Sequence, residues 1–165
     1  MIDSIVQTFE DQGWAYHKIE GANVIETGFE AHHTKVQIHI QAFPEINAVS
    51  VVSQSPIVST SADRRLRVME LIMRVNEVLN IGNFELRWDH GEVVFRATNL
   101  FSKRRFDGAV LIALVEATIV EMDRITPCLN IIQKASPAEL MNLDIQELMQ
   151  RDDLVPDVGN SDYLG

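Results

Sequence analysis

Apolar residues recur along this chain with a spacing that changes by segment, and the changes mark its elements. Ile5, Val6 and Phe9 fall at helical spacing and Gly13 stops the run, which predicts a short amphipathic helix over residues 3–12. From Trp14 to Ser55 the period becomes two. Ile25, Thr27 and Phe29 alternate with Glu26, Gly28 and Glu30, and Val36, Ile38 and Ile40 alternate with Lys35, Gln37, His39 and Gln41. That is the signature of antiparallel strands with one buried and one wet face. His32-His33-Thr34 and Phe43-Pro44-Glu45 supply turns, and Asn47 to Gln54 is a further strand that Ser55-Pro56 should end, since proline cannot donate to a ladder.

Helical spacing returns after Thr60-Ser61-Ala62-Asp63, which has the form of a capping box with Thr60 as the cap, and a helix is expected from Asp63 to about Asn80. Phe84, Leu86 and Trp88 then alternate with Glu85, Arg87 and Asp89. Val93, Phe95 and Ala97 continue the inner face beyond Asp89-His90-Gly91, so the segment reads as a β-hairpin. A long apolar helix follows from Asp107 to about Thr126, kinked or ended by Pro127. Ser136-Pro137-Ala138-Glu139 is a strong helix start and opens a helix over about 137–150. After Arg151 the chain is acidic and turn-rich and reads as a mobile tail. The expected fold class is α+β, an antiparallel sheet packed against helices in the order α-β(3-4)-α-β-β-α. One domain is expected over 1–150, and a tail over 151–165.

The 165 residues suffice for one core without a disulfide or structural metal. With 46% apolar and 23% charged residues, the composition excludes global disorder. A formal charge of −10 opposes broad contact with phosphate backbones, so no nucleic-acid partner is expected. Lys103-Arg104-Arg105 and Arg64-Arg65 with Arg67 read mainly as solvated charge, or as contacts to an acidic segment. The longest apolar run, Ala109 to Val120, holds Glu116 and is far short of the ~20 residues of a membrane span. The first residues have no basic segment or small-residue cleavage site of a secretory signal, and Cys128 stands alone. A cytoplasmic protein without membrane contact is expected.

Candidate chemistry is sparse. His33 and His39 are six residues apart on an extended strand, roughly 20 Å, too far to share a metal. His17 and His90 have no ligand spacing around them, and Cys128 among apolar neighbours reads as packing. There is no nucleophile elbow, phosphate loop or dinucleotide fingerprint. No catalytic residue, metal site or cofactor is expected.

The second helix carries a stronger signal. Its polar arc centres on Arg67, Glu70, Arg74 and Glu77, while Val68, Met69, Leu71, Ile72, Val75, Val78 and Leu79 fill about half the circumference and Leu66 and Met73 widen it. A helix covering only its own sheet needs roughly a 100° stripe, so a second buried contact is implied. Either the third helix or the tail covers the excess, or a second copy does, with Leu66, Met69 and Met73 at the seam of a homodimer.

Asn76 and Asn80, the strand Phe84 to Trp88, Gly91, the strand Val93 to Leu100, and Asp123 followed by Pro127 together resemble the YbjN family of proposed bacterial sensory-transduction regulators, whose fold is similar to that of type III secretion chaperones. The resemblance runs to about residue 133 and leaves the last thirty residues unmatched. It implies a non-enzymatic, dimer-forming interaction domain, a regulator or chaperone-like module with an unidentified protein partner or client, and it transfers no catalytic residues. The competing class is a small-ligand sensor or enzyme using a cleft between sheet and helices.

Overall fold

A computed structural model describes residues 1–102 and 105–154 of the chain. Helix α1 (Ile2–Gln12) leads into β1 (His17–Lys18), β2 (Val24–Glu30), β3 (Lys35–Phe43) and β4 (Ala48–Val58). Helix α2 (Ala62–Val78) follows, then β5 (Asn83–Arg87), β6 (Glu92–Leu100) and three helices, α3 (Gly108–Lys134), α4 (Pro137–Asn142) and α5 (Ile145–Met149). The six strands form one sheet in the order β1-β2-β3-β4-β6-β5, every neighbouring pair antiparallel. The class is α+β.

Period-two alternation decides which face is covered. Val36, Ile38 and Ile40 of β3, Val49 and Val51 of β4, and Phe95 and Ala97 of β6 are buried under α3 and its neighbours, while Lys35, Gln37, His39 and Gln41 are exposed on the other face. Asp107 caps α3 by accepting from the Ala109 N–H at 2.9 Å. At 27 residues α3 is about 40 Å long and packs on β3, β4 and β6. Helix α1 packs on it where Gly108 meets Thr8, a Cβ on that glycine falling 2.9 Å from the Thr8 hydroxyl.

Several expected boundaries shift. Strand β4 runs through Pro56 to Val58, because its register against β6 breaks between Gln54 and Val58 and the Ile57 N–H turns to the Ser55 hydroxyl instead. Ser61, not Thr60, caps α2, accepting from the Arg64 N–H, and the helix ends at Val78 because Leu79 is extended. Trp88 is not an inner strand position: β5 and β6 close at the Arg87–Glu92 pair, leaving Trp88 in the turn, 45% exposed. Gly91 in that turn has φ 70° and its backbone packs against Ser59 so closely that no side chain fits.

Pro127 does not end α3. The helix carries on to Lys134 because Cys128, Leu129 and Ile132 bury themselves in the core beyond it, outweighing the lost backbone bond. The expected helix over 137–150 is two. The Ser136–Glu139 capping box starts α4, Leu143 is extended, and the Asp144 carboxylate accepts from the Glu147 N–H at 3.0 Å to start α5. Past the expected boundary at 150, Asp152–Leu154 forms a 3-10 turn with Leu154 packed on the core. The rest of the expected tail, 155–165, lies outside the described residues.

Candidate interaction surface

Helix α2 lies beside β5, α3, α4 and α5 with Val68, Leu71 and Ile72 facing inward and buried. At 100° per residue, positions 66, 69 and 73 fall on the opposite side. There Leu66 is 48% exposed, Met69 41% and Met73 64%. The third helix and the Leu154 turn meet the inner side of α2, and no described residue covers the outer row. One edge of the row is electrically quiet: Glu70 takes both Arg67, at 3.2 Å, and Arg74, at 3.0 Å. The other end continues into an open groove between α2 and α4, lined by Leu66, Pro137, Leu140 and Met141 and, on its polar wall, by Asp63, Arg64, Arg67 and Glu70; Met141 is 74% exposed.

What fixes α2 in this position is a set of contacts hidden inside the basic cluster. Arg64 donates to the carbonyls of Gln133 and Ala135, at 3.1 and 2.8 Å, the latter the C-cap of α3. Arg67 donates to the carbonyls of Leu140 and Met141 in α4, and Arg65 to those of Ser59 and Thr60. These guanidinium groups are therefore not simply solvated. Arg64 and Arg67 satisfy carbonyls that the ends of α3 and α4 leave without partners, and Arg65 holds the segment that leads into α2. Lys103 and Arg104 of the second basic group lie outside the described residues, and the Arg105 N–H donates to the Ser102 carbonyl at 3.0 Å.

The helix C-terminus is tied to the sheet by Asn76, whose side-chain amide accepts from the Phe84 N–H at 2.8 Å and donates to the Phe84 carbonyl at 3.0 Å. On the far side of the molecule, Asp123 of α3 is buried and accepts from the backbone N–H groups of His33 and Thr34, holding the β2–β3 turn onto the helix. Periodicity alone does not predict either contact. The one available signal is a polar residue at an otherwise apolar helical position, as Asp123 is between Met122 and Ile125.

The histidines do not converge on a common site. His33 turns its ring to Asp123, His32 stacks edge-on against His33, and His39 pairs with Glu26 at 3.0 Å on the open sheet face. Among the described residues no three His, Cys, Asp or Glu side chains are grouped as a metal site requires. One cleft, between α2, α3, α5 and the Leu154 turn, gathers titratable groups: Glu121, Arg124, Cys128 and Arg151. Burial pushes the Glu121 carboxyl and the Cys128 thiol above their ordinary values, with Arg124 opposing both. The cavity is only about 40 Å³, room for a water or two, and its walls are mainly apolar. A raised thiol pKa leaves Cys128 protonated and poorly nucleophilic.

No described helix is long and apolar enough to cross a membrane. No protein-family profile matches the chain, and no curated protein matches it by sequence. Among solved structures, the chain is similar to that of YbjN from E. coli, described there as a proposed transcription regulator, at 11% identity and a TM-score of 0.54. The match covers 82% of this chain and 90% of that one, so the six-stranded sheet and its helices have a YbjN-like fold.

Proposed function

We propose that the chain is a non-enzymatic protein-interaction module, a regulator or chaperone-like unit that works as a homodimer joined through the outer face of α2. The observation that supports this reading is the row Leu66, Met69 and Met73, exposed on a helix whose other side is already packed. With Met141, these side chains offer on the order of 400 Å² of apolar surface, the size at which patches on soluble proteins are commonly functional. That is about half of the roughly 800 Å² each partner contributes to a standard interface. Methionines suit such a face because they adapt to a partner's shape.

The structurally similar E. coli protein is described as a proposed transcription regulator, which agrees with the regulator part of this reading. The reading as a ligand sensor or enzyme divides between two cavities: the cleft that holds Glu121 and Cys128 is far below the roughly 300 Å³ at which ligand pockets begin, while the groove between α2 and α4, at about 660 Å³, exceeds it but is open to solvent.

Sedimentation of the wild type and of Met73→Glu at micromolar concentration tests the proposal. A charge at position 73 without a partner in a desolvated contact should drive a wild-type dimer to monomer. A monomeric wild type refutes dimerisation; a dimer indifferent to the substitution moves the interface off α2.

A further inference from the structure

The groove between α2 and α4 opens beside the exposed row of α2 and shares Leu66 with it. At 100° per residue, positions 63, 67, 70 and 74 lie to one side of that row. Helix α4 sits on the same side, since Arg67 donates to the Leu140 and Met141 carbonyls. Leu140 lines the groove as a buried residue, Leu66 and Met141 as exposed ones. At about 660 Å³ the space is larger than one side chain fills.

The cations of the groove are already engaged. Every side-chain nitrogen of Arg64 and Arg67 has an acceptor within the chain: the carbonyls of Gln133, Ala135, Leu140 and Met141, the Ser61 hydroxyl and Glu70. A small anion therefore meets no guanidinium in want of a partner, and what an occupant gains by entering is apolar contact. The row and Met141 together offer only about half of what each partner brings to a standard interface. A dimer through α2 must draw on further surface, and the groove is continuous with the row.

A two-fold axis can bring the row onto itself in two ways. With the helices parallel, Met73 meets Met73 and both grooves stay open. With the helices antiparallel about a point near Met69, Met73 of each copy lies over Leu66 of the other, at the mouth of the groove, so the contact forms twice. The antiparallel pair also sets the positive end of each helix beside the negative end of the other. It brings the partner's Arg74 beside Asp63, which has no ion pair of its own among the described residues. Glu70 of the two copies approach near the axis, each already neutralised by Arg67 and Arg74.

We infer that the groove between α2 and α4 receives Met73 of a second copy of this chain: the two α2 helices pack antiparallel, and each Met73 seats between Leu66 and Met141 of the other molecule. This rests on the α2 reading and adds to it the orientation of the pair and a role for α4.

Sedimentation over a hundredfold concentration range compares wild type, Met73→Glu, Met141→Glu and Met141→Leu. Met141 is exposed and lies off α2, so its replacement leaves the folded chain intact. The expected result is a dimer that Met141→Glu weakens by roughly tenfold or more, as for a residue central to a contact, and that Met141→Leu retains. In a Cys128→Ser background, Met73→Cys mixed with Met141→Cys should form the mixed disulfide on oxidation. Met73→Cys alone should not join to itself, its two copies lying beyond the roughly 7 Å between Cα atoms that a disulfide spans. A monomeric wild type, or a dimer indifferent to Met73→Glu, refutes the α2 contact and this inference together. A dimer broken by Met73→Glu but indifferent to Met141→Glu, or one that joins Met73→Cys to itself and not to Met141→Cys, leaves the α2 contact standing and overturns the inference.

Discussion

Asp123, near the middle of α3, holds His33 by two atoms at once: one carboxylate oxygen accepts from the His33 backbone N–H, and the other lies 3.2 Å from the ring Nδ1. The first oxygen also accepts from the Thr34 N–H at 3.2 Å. A single buried acid thus supplies the bonds that the β2–β3 turn cannot make within its own backbone.

Asp123→Ala leaves those two amides without acceptors, and the expected cost is about 2 to 3 kcal/mol. In a chain this size that is roughly 5 to 10 °C in Tm. His33→Ala removes only the ring contact and should cost far less. Thermal melts of both variants check the ranking; equal losses would assign the stability to the ring.

Glu121 gives a pH test with a definite sign. Burial raises its carboxyl pKa in the folded chain, so the native state binds the proton more tightly than the unfolded one. Stability contributed by this group therefore falls as pH rises through the window between the ordinary value, about 4.3, and the raised one. Above the window the half-buried carboxylate is a net cost. Glu121→Gln should melt higher than wild type at pH 7, with the difference shrinking to nothing as the pH drops below about 4. Melts at both ends of that range decide it, and a variant less stable at pH 7 would show that the attraction to Arg124 outweighs burial.

Leu154 places a third test at the end of the described chain. It packs on the core from the 3-10 turn that follows α5, and it lines the same cleft as Leu71 and Val75. Leu154→Ala should cost about 1 kcal/mol for a partly buried side chain, or some 2 to 4 °C in Tm. No change would mean that the domain ends near Gln150, as the composition alone suggests.

The elements that were legible in the sequence are those in which burial and local preference agree. Alternation in Lys35–Phe43 and the glycine at 91 define strand and turn, and Ser136 with Glu139 forms its capping box in full. Local signals mislead where tertiary contacts override them. Pro127 sits inside α3 because Leu129 and Ile132 beyond it are fully buried, and Pro56 sits inside β4 because the ladder is already interrupted there. The polar fasteners were illegible for another reason. Arg64 and Asp123 act on residues 69 to 90 positions away, through backbone atoms that carry no sequence identity. For the candidate site, the helix period shows that α2 has more apolar surface than its sheet needs, while three-dimensional packing shows that the uncovered part is Leu66, Met69 and Met73 on one face and Val78 at the helix end.

The proposed contact of two copies through the outer face of α2 is best tested by an intermolecular distance at that face. Met69→Cys in a Cys128→Ser background gives one exposed spin-label site in the middle of the row. Helices packed face to face lie about 8–10 Å apart, so labels on the two copies should be separated by less than about 30 Å. A narrow distribution in that range, lost in Met73→Glu, is the predicted result. A dimer whose labels lie well beyond it, or a protein that shows no intermolecular distance at all, would contradict the account.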